Sequence, residues 1–93
     1  MRVIERTSQF KKDYKREIKG KHKKSLALDL FELINLLVKD GSLPKHYYDH
    51  ALVGEWKDCR DCHIKPDLIM IYSKPNSKVI RLIRLGSHSE LGL

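Results

Sequence analysis

The stretch Leu26-Ala27-Leu28-Asp29-Leu30-Phe31-Glu32-Leu33-Ile34-Asn35-Leu36-Leu37-Val38-Lys39-Asp40-Gly41 decides the fold class. Leu26, Leu30, Leu33 and Leu37 step by four, three and four, which places them on one face of an α-helix. Ala27, Phe31, Ile34 and Val38 widen that stripe. An apolar face this broad needs a surface to pack on, and a sheet supplies one. Gly41 is a natural stop, and Pro44 forbids continuation.

Upstream, Arg2 to Arg6 carries β-branched Val3 and Ile4 and reads as a short first strand. Thr7 or Ser8 can cap a following helix, because a hydroxyl there accepts a bond from an otherwise unpaired N–H. Phe10, Tyr14 and Ile18 then recur every four residues on one side, while Lys11, Lys12, Lys15, Arg16 and Lys19 occupy the other. Gly20 ends this helix.

Downstream, residues 42–50 read as a loop, and from Leu52 the pattern becomes strand-like. Leu52 to Trp56, Cys59 to Ile64, Leu68 to Ser73 and Val79 to Leu85 are the candidate strands. Lys65-Pro66-Asp67 and Lys74-Pro75-Asn76-Ser77 are the turns between the later ones. Connections this short force antiparallel neighbours. The expected architecture is α+β: two N-terminal helices on one face of a mainly antiparallel sheet of four to five strands. With no internal repeat or linker, residues 1–93 form a single domain.

The formal net charge is +7. An excess of that size favours a polyanionic partner, since neutralising phosphates releases condensed counterions, although a basic surface also serves solubility alone. No run approaches the ~18–20 apolar residues of a membrane span, so no membrane is expected as a partner. Residues 1–6 do not resemble a signal peptide. A cytoplasmic location is expected, with Cys59 and Cys62 as reduced thiols.

Histidines and charged residues gather in the second half. His46, His50, His63 and His88 interleave with Asp49, Asp58, Asp61, Asp67, Lys57, Arg60, Arg81 and Arg84. Alternation along a strand points Asp61 and His63 the same way, and likewise Arg84 and His88 if the last strand extends that far. A sheet face carrying Asp, His and Arg is either a solvated face or a site. Those residue types match RNA cleavage. The 2′-hydroxyl must lose a proton as it attacks phosphorus, the leaving 5′-oxygen must gain one, and the phosphorane carries extra negative charge. Histidine suits either proton transfer, and arginine can hold two phosphate oxygens at once.

The stretch from Asp49 to Tyr72 narrows the reading. Asp49-His50-Ala51-Leu52-Val53-Gly54-Glu55-Trp56-Lys57, then Arg60-Asp61-Cys62-His63, then Pro66-Asp67 before an apolar run ending in Tyr72, resembles the YafQ-type toxins of the RelE superfamily. Arg84-Leu85-Gly86-Ser87-His88 resembles that family's closing R-x-G-[ST]-H. The resemblance implies a ribosome-dependent endoribonuclease toxin that cuts mRNA in the ribosomal A site without a metal or other cofactor. It also implies a cognate antitoxin that neutralises the toxin. Carried over by position, His50, His63, Asp67, Arg84 and His88 are the catalytic set. His88 is expected as general acid and His50 or Asp67 as base. His63 is expected to orient the nucleotide or share base duty, and Arg84 to hold the scissile phosphate. Lys57, Arg60 and Asp61 are expected on the RNA side of the site. One departure concerns stacking: relatives often carry Phe four residues after the last histidine, where this chain has Gly92.

Other readings compete. Cys59-Arg60-Asp61-Cys62-His63 also fits the C-x-x-C-H pattern of haem attachment. Strand alternation opposes it, because cysteines three apart should face opposite ways. A zinc site lacks a second ligand pair. The alternative from a different class is a non-catalytic RNA- or ribosome-binding module using the basic stretch Lys11 to Lys24.

Overall fold

The computed structural model describes all of residues 1–93. Strand β1 (Val3–Arg6) leads into α1 (Ser8–Ile18) and α2 (Leu26–Val38). Then come β2 (His50–Ala51), β3 (Arg60–Lys65), β4 (Leu68–Asn76), β5 (Val79–Gly86) and a short α3 (His88–Leu91). The five strands form one sheet in the order β1-β5-β4-β3-β2. Its two-residue connections make β3, β4 and β5 antiparallel, whereas β1 joins β5 in parallel after the helical crossover. The sheet is therefore mainly antiparallel, as expected.

Thr7 caps α1 by accepting the Phe10 N–H. On the helical side of the sheet, Phe10, Leu26, Leu30, Leu33 and Leu37 pack against Cys62, Leu68, Met70, Tyr72, Ile80, Leu82 and Leu85. The far side is covered more thinly. There Leu91 of α3 lies on Ile69 and Ile71, with Leu52, Trp56, Cys59 and Ile83 around them. Every residue from Leu68 to Tyr72 is consequently buried, as in a strand covered on both faces. No helix is long and apolar enough to cross a membrane.

One sheet edge is closed by a helix. Past Leu82, β5 has lost β1 as a neighbour, and its free backbone groups turn to α1. Thr7 donates to the Leu82 and Ile83 carbonyls at 3.0 and 2.8 Å. Asp13 Oδ2 accepts the Leu85 N–H at 3.0 Å, and Arg16 Nη2 donates to the Leu85 carbonyl at 2.8 Å. Backbone groups at a sheet edge must be paired or solvated, and here two charged side chains take the place of a strand.

Four sequence expectations need correction. Leu52–Trp56 is not a strand. The chain must reverse between His50-Ala51 and Arg60-Asp61, which pair antiparallel, so Gly54 takes a left-handed φ of +71° and residues 54–56 form a 3₁₀ turn. The Lys74-Pro75-Asn76 segment is not a turn, because β4 runs to Asn76 and the reversal is confined to Ser77-Lys78. The glycine after α2 is not its left-handed residue. Asp40 adopts φ +55°, with Gly41 N–H bonded to Leu36 O and Asp40 N–H to Leu37 O in a Schellman arrangement. Finally, Ala27 and Phe31 are exposed rather than packed on the sheet. With Ile4, Phe10 and Tyr14 they line an open apolar groove of about 480 Å³.

Candidate active site

Sheet register brings the site residues together. His50, Asp61, Ile71 and Arg84 are successive partners across β2, β3, β4 and β5. His63, Ile69 and Gly86 form the neighbouring row. Directly paired residues share a face, as do residues two apart, so this is the face away from the main helices. Asp61 and His63 do point the same way. Arg84 sits beside a β-bulge, where the register slips between Ile71 and Tyr72 and leaves Ile83 unpaired. Bulges re-aim side chains, and Arg84 turns toward α1 across the free edge of β5. His88 does not continue β5. It is the first residue of α3, which begins with a capping box between Ser87 and Glu90.

The His88 ring is fixed by Asp67. Nδ1 donates to Asp67 Oδ1 at 2.6 Å, and the His88 backbone N–H donates to the same oxygen at 3.0 Å. These two bonds, with Lys21 nearby, hold the Asp67 carboxyl below its ordinary range, so it is ionised at neutral pH. A carboxylate only accepts, which places a proton on His88 Nδ1 and leaves Nε2 for other partners. The His63 ring stands 5.3 Å from that of His88, edge to face, and 5.4 Å from that of Tyr48.

His50 is oriented differently. Its Nδ1 lies 2.8 Å from the Tyr48 carbonyl, which can only accept, so this nitrogen also carries the proton and Nε2 is again left open. Tyr48 reaches that position through a left-handed backbone, φ +48°, uncommon for a non-glycine residue. Asp61 Oδ1 is 3.0 Å from the same Nδ1, but the N–H is aimed at Tyr48, and this buried oxygen has no hydrogen-bond partner. Burial pushes the Asp61 carboxyl above its ordinary range, against the pull of His50, His63 and His88.

The loop before His50 is anchored from beneath. Asp49 accepts the Tyr72 hydroxyl at 2.6 Å and the Arg60 guanidinium at 3.0 Å, with the Cys62 thiol at 3.5 Å. Burial opposes ionisation of Asp49, yet the bonds from Arg60 and Tyr72 outweigh it and hold the carboxyl below its ordinary range.

Of the residues singled out from sequence, His50, Asp61, His63, Asp67 and His88 come together. Arg84 lies in the same row as His50 with its Nε bonded to Asp13 Oδ2 at 2.8 Å. Arg60 pairs with Tyr72 in register and so lies on the helical face, bonded to Asp49, apart from the imidazoles. Lys57 is exposed where the 3₁₀ turn ends. Cys62 enters the main core while Cys59 joins the smaller cluster on the other face, so the pair does not present two thiols to one haem edge. No three His, Cys, Asp or Glu side chains are grouped to hold a metal ion. Sequence reasoning missed Tyr48, Asp13 and the anchoring role of Asp49. For Asp13 there was a signal: it falls between Phe10 and Tyr14, near the apolar side of α1.

Residues 2–92 match the family described as "Bacterial toxin of type II toxin-antitoxin system, YafQ". The mRNA interferase toxin YafQ of Escherichia coli K12 is 42% identical over 91 residues, covering 96% of this chain and 98% of that protein. The toxin in the E. coli DinJ-YafQ complex superimposes with a TM-score of 0.82 at 39% identity, covering 98% of each chain. A metal-bound toxin from Helicobacter pylori gives 0.83, also at 39%, covering 98% of this chain and 99% of that one. This chain belongs to the YafQ family of bacterial type II toxin–antitoxin toxins.

Proposed function

We propose that the chain is an mRNA interferase, an endoribonuclease that cuts mRNA on the ribosome by metal-independent acid–base catalysis and is held in check by a cognate antitoxin. The observation that carries this reading is the pair of imidazoles with fixed tautomers. His50 and His88 each have Nδ1 committed to an acceptor, leaving Nε2 available for proton transfer. In the proposed reaction, His50 Nε2 takes the 2′-hydroxyl proton as the oxygen attacks phosphorus. The resulting imidazolium faces the Asp61 carboxylate at 3.0 Å. A protonated His88 donates from Nε2 to the leaving 5′-oxygen, and Asp67 keeps the ring in place. Asp67 is less suited to be the base, because its Oδ1 already receives two bonds from His88. Arg84 supplies the cation for the phosphorane. The exposed Tyr48 ring beside His63 offers a nucleobase a flat surface. Lys21, close to Asp67, begins a basic segment suited to flanking phosphates.

The relatives' names support the reaction class, and the DinJ-YafQ complex supports an antitoxin partner. The test adds the protein to a translating extract with transition metals chelated and magnesium retained for ribosome integrity, and maps new 5′ ends. In-frame cuts that disappear with His88→Ala, while ribosome binding is retained, are expected. Binding without cuts would favour a non-catalytic ribosome-binding module. Cutting that needs an added transition metal would contradict the mechanism.

A further inference from the structure

Asp13 is a fully buried carboxylate to which the reaction above assigns no task. Both of its oxygens are engaged. Oδ1 takes the Gln9 amide at 3.1 Å and Arg16 Nη1 at 3.0 Å, while Oδ2 takes Arg84 Nε at 2.8 Å and the Leu85 N–H at 3.0 Å. Arg84 Nη2 reaches Oδ1 at a longer 3.4 Å. Burial alone would protonate such a group. The bonds from Arg84, Leu85 and Gln9 prevail and hold it ionised.

The way Arg84 is held leaves part of it free. A guanidinium carries five N–H groups in a rigid plane. Asp13 takes the edge formed by Nε and Nη2, and Nη1 has no partner within the protein. Arg84 shares a sheet row with His50 and Asp61 and is only half-buried. Without a carboxylate on its inner edge, a long flexible side chain beside a bulge would sample several rotamers. With it, the charge is fixed and the outer end of the plane remains for a phosphate. The same Asp13 oxygen accepts the N–H of Leu85, the next residue, so backbone and side chain are tied to one atom.

We propose that Asp13 is a positioning residue for catalysis: by clamping the Nε edge of Arg84 from α1, it presents the Nη1 end of the guanidinium to the scissile phosphate. The proposal rests on the nuclease reading above. It assigns Asp13 no contact with RNA and no proton transfer. A misplacement of about 1 Å in a group that stabilises the transition state can lower the rate on the order of 10²-fold.

The experiment is a double-mutant cycle on cleavage by the full chain on programmed ribosomes, with melting followed for each variant. Asp13→Asn keeps the volume and one acceptor for Leu85 while removing the charge. The expected result is a fall in kcat of about 10- to 100-fold with KM changed far less, in protein that is folded at the assay temperature. In an Arg84→Ala background the same substitution should cause no further loss of kcat, although its effect on melting persists. A purely architectural Asp13 would instead slow both backgrounds by the same factor, and that outcome overturns the proposal. Wild-type kcat in Asp13→Asn also overturns it. If Asp13→Asn does not fold, Asp13→Glu, which moves the charge by one methylene, takes its place with the same two expectations. A wild-type protein that cuts no mRNA removes the nuclease reading and this inference together, whereas a cutting wild type with an equally fast Asp13→Asn removes the inference alone.

Discussion

Replacing Tyr72 by Phe deletes one oxygen from the interior and leaves everything else in place. Tyr72 is 2% exposed, and its hydroxyl donates to Asp49 Oδ1 at 2.6 Å. A hydrogen bond to a charged group contributes about 1.5–3 kcal/mol. Asp49 keeps Arg60 as a partner, and 22% of its side chain reaches solvent, so the lower end, about 1.5–2 kcal/mol, applies. For a domain of this size each kcal/mol moves Tm by roughly 4–8 °C, so a drop on the order of 10 °C is expected at pH 7. The sign of the pH effect also follows. A carboxyl held below its ordinary range contributes stability above the unfolded-state pKa and loses it as pH falls through the folded-state value. Tyr72 supplies part of that depression, so the gap between wild type and variant should shrink in acid. Asp49 also precedes Tyr48's partner His50 directly, so cleavage should fall several-fold at temperatures where the variant is folded. Circular-dichroism melts from pH 3 to pH 8 with parallel cleavage assays measure all of this. A Tm unchanged at pH 7, or a gap of equal size at every pH, would refute the reasoning.

Asp61→Asn should act in the opposite direction on stability. Because burial raises the Asp61 carboxyl, its contribution is complete below the unfolded-state pKa and is lost as pH rises through the folded-state value. The variant should therefore melt higher than wild type at pH 7 and alike near pH 3, with slower cleavage, and a lower Tm at pH 7 counts against the assignment. Tyr48→Ala should raise KM for mRNA about ten-fold while changing stability little, because base stacking is worth ~1–3 kcal/mol. An unchanged KM in ribosome-bound cleavage kinetics excludes the stacking role. Leu33→Ala, at the fully buried centre of α2, should lose about 2–5 kcal/mol in urea unfolding. That is a large share of the roughly 5–15 kcal/mol available to a domain, and a smaller loss would mean the helix packs loosely.

Periodicity carried the fold where burial is one-sided and failed where another element intervenes. The leucine stripe of α2 reports its contact with the sheet, and Leu26, Leu30, Leu33 and Leu37 are all buried. Ala27 and Phe31 belong to the same apolar arc but face a groove beside β1, and nothing in the local pattern separates a residue over the sheet from one over a groove. Leu52 to Trp56 has the apolar content of a strand, yet it lies in a connection that must reverse direction. There Gly54 was the signal that the chain turns.

The candidate site was legible to a different degree at each residue, and the differences have a common origin. Asp61 and His63 share a face because alternation is local, and that much can be read from two positions on one strand. His50 joins them only through the register of β2 on β3, and His88 only because α3 returns its ring to Asp67, 21 positions earlier. Asp13 is further still: it meets Arg84 across 71 positions, through a bulge that no spacing rule announces. The local rules break at Tyr48, at Ile83 and at the unpartnered oxygen of Asp61. Two of these departures lie against imidazoles: the Tyr48 ring is 5.4 Å from that of His63, and Asp61 Oδ1 is 3.0 Å from His50 Nδ1. Selection for folding alone favours Gly, Asn or Asp over Tyr at a left-handed position and leaves no carboxylate oxygen buried without a partner. That both lie beside the imidazoles is an argument for function that is independent of any family resemblance.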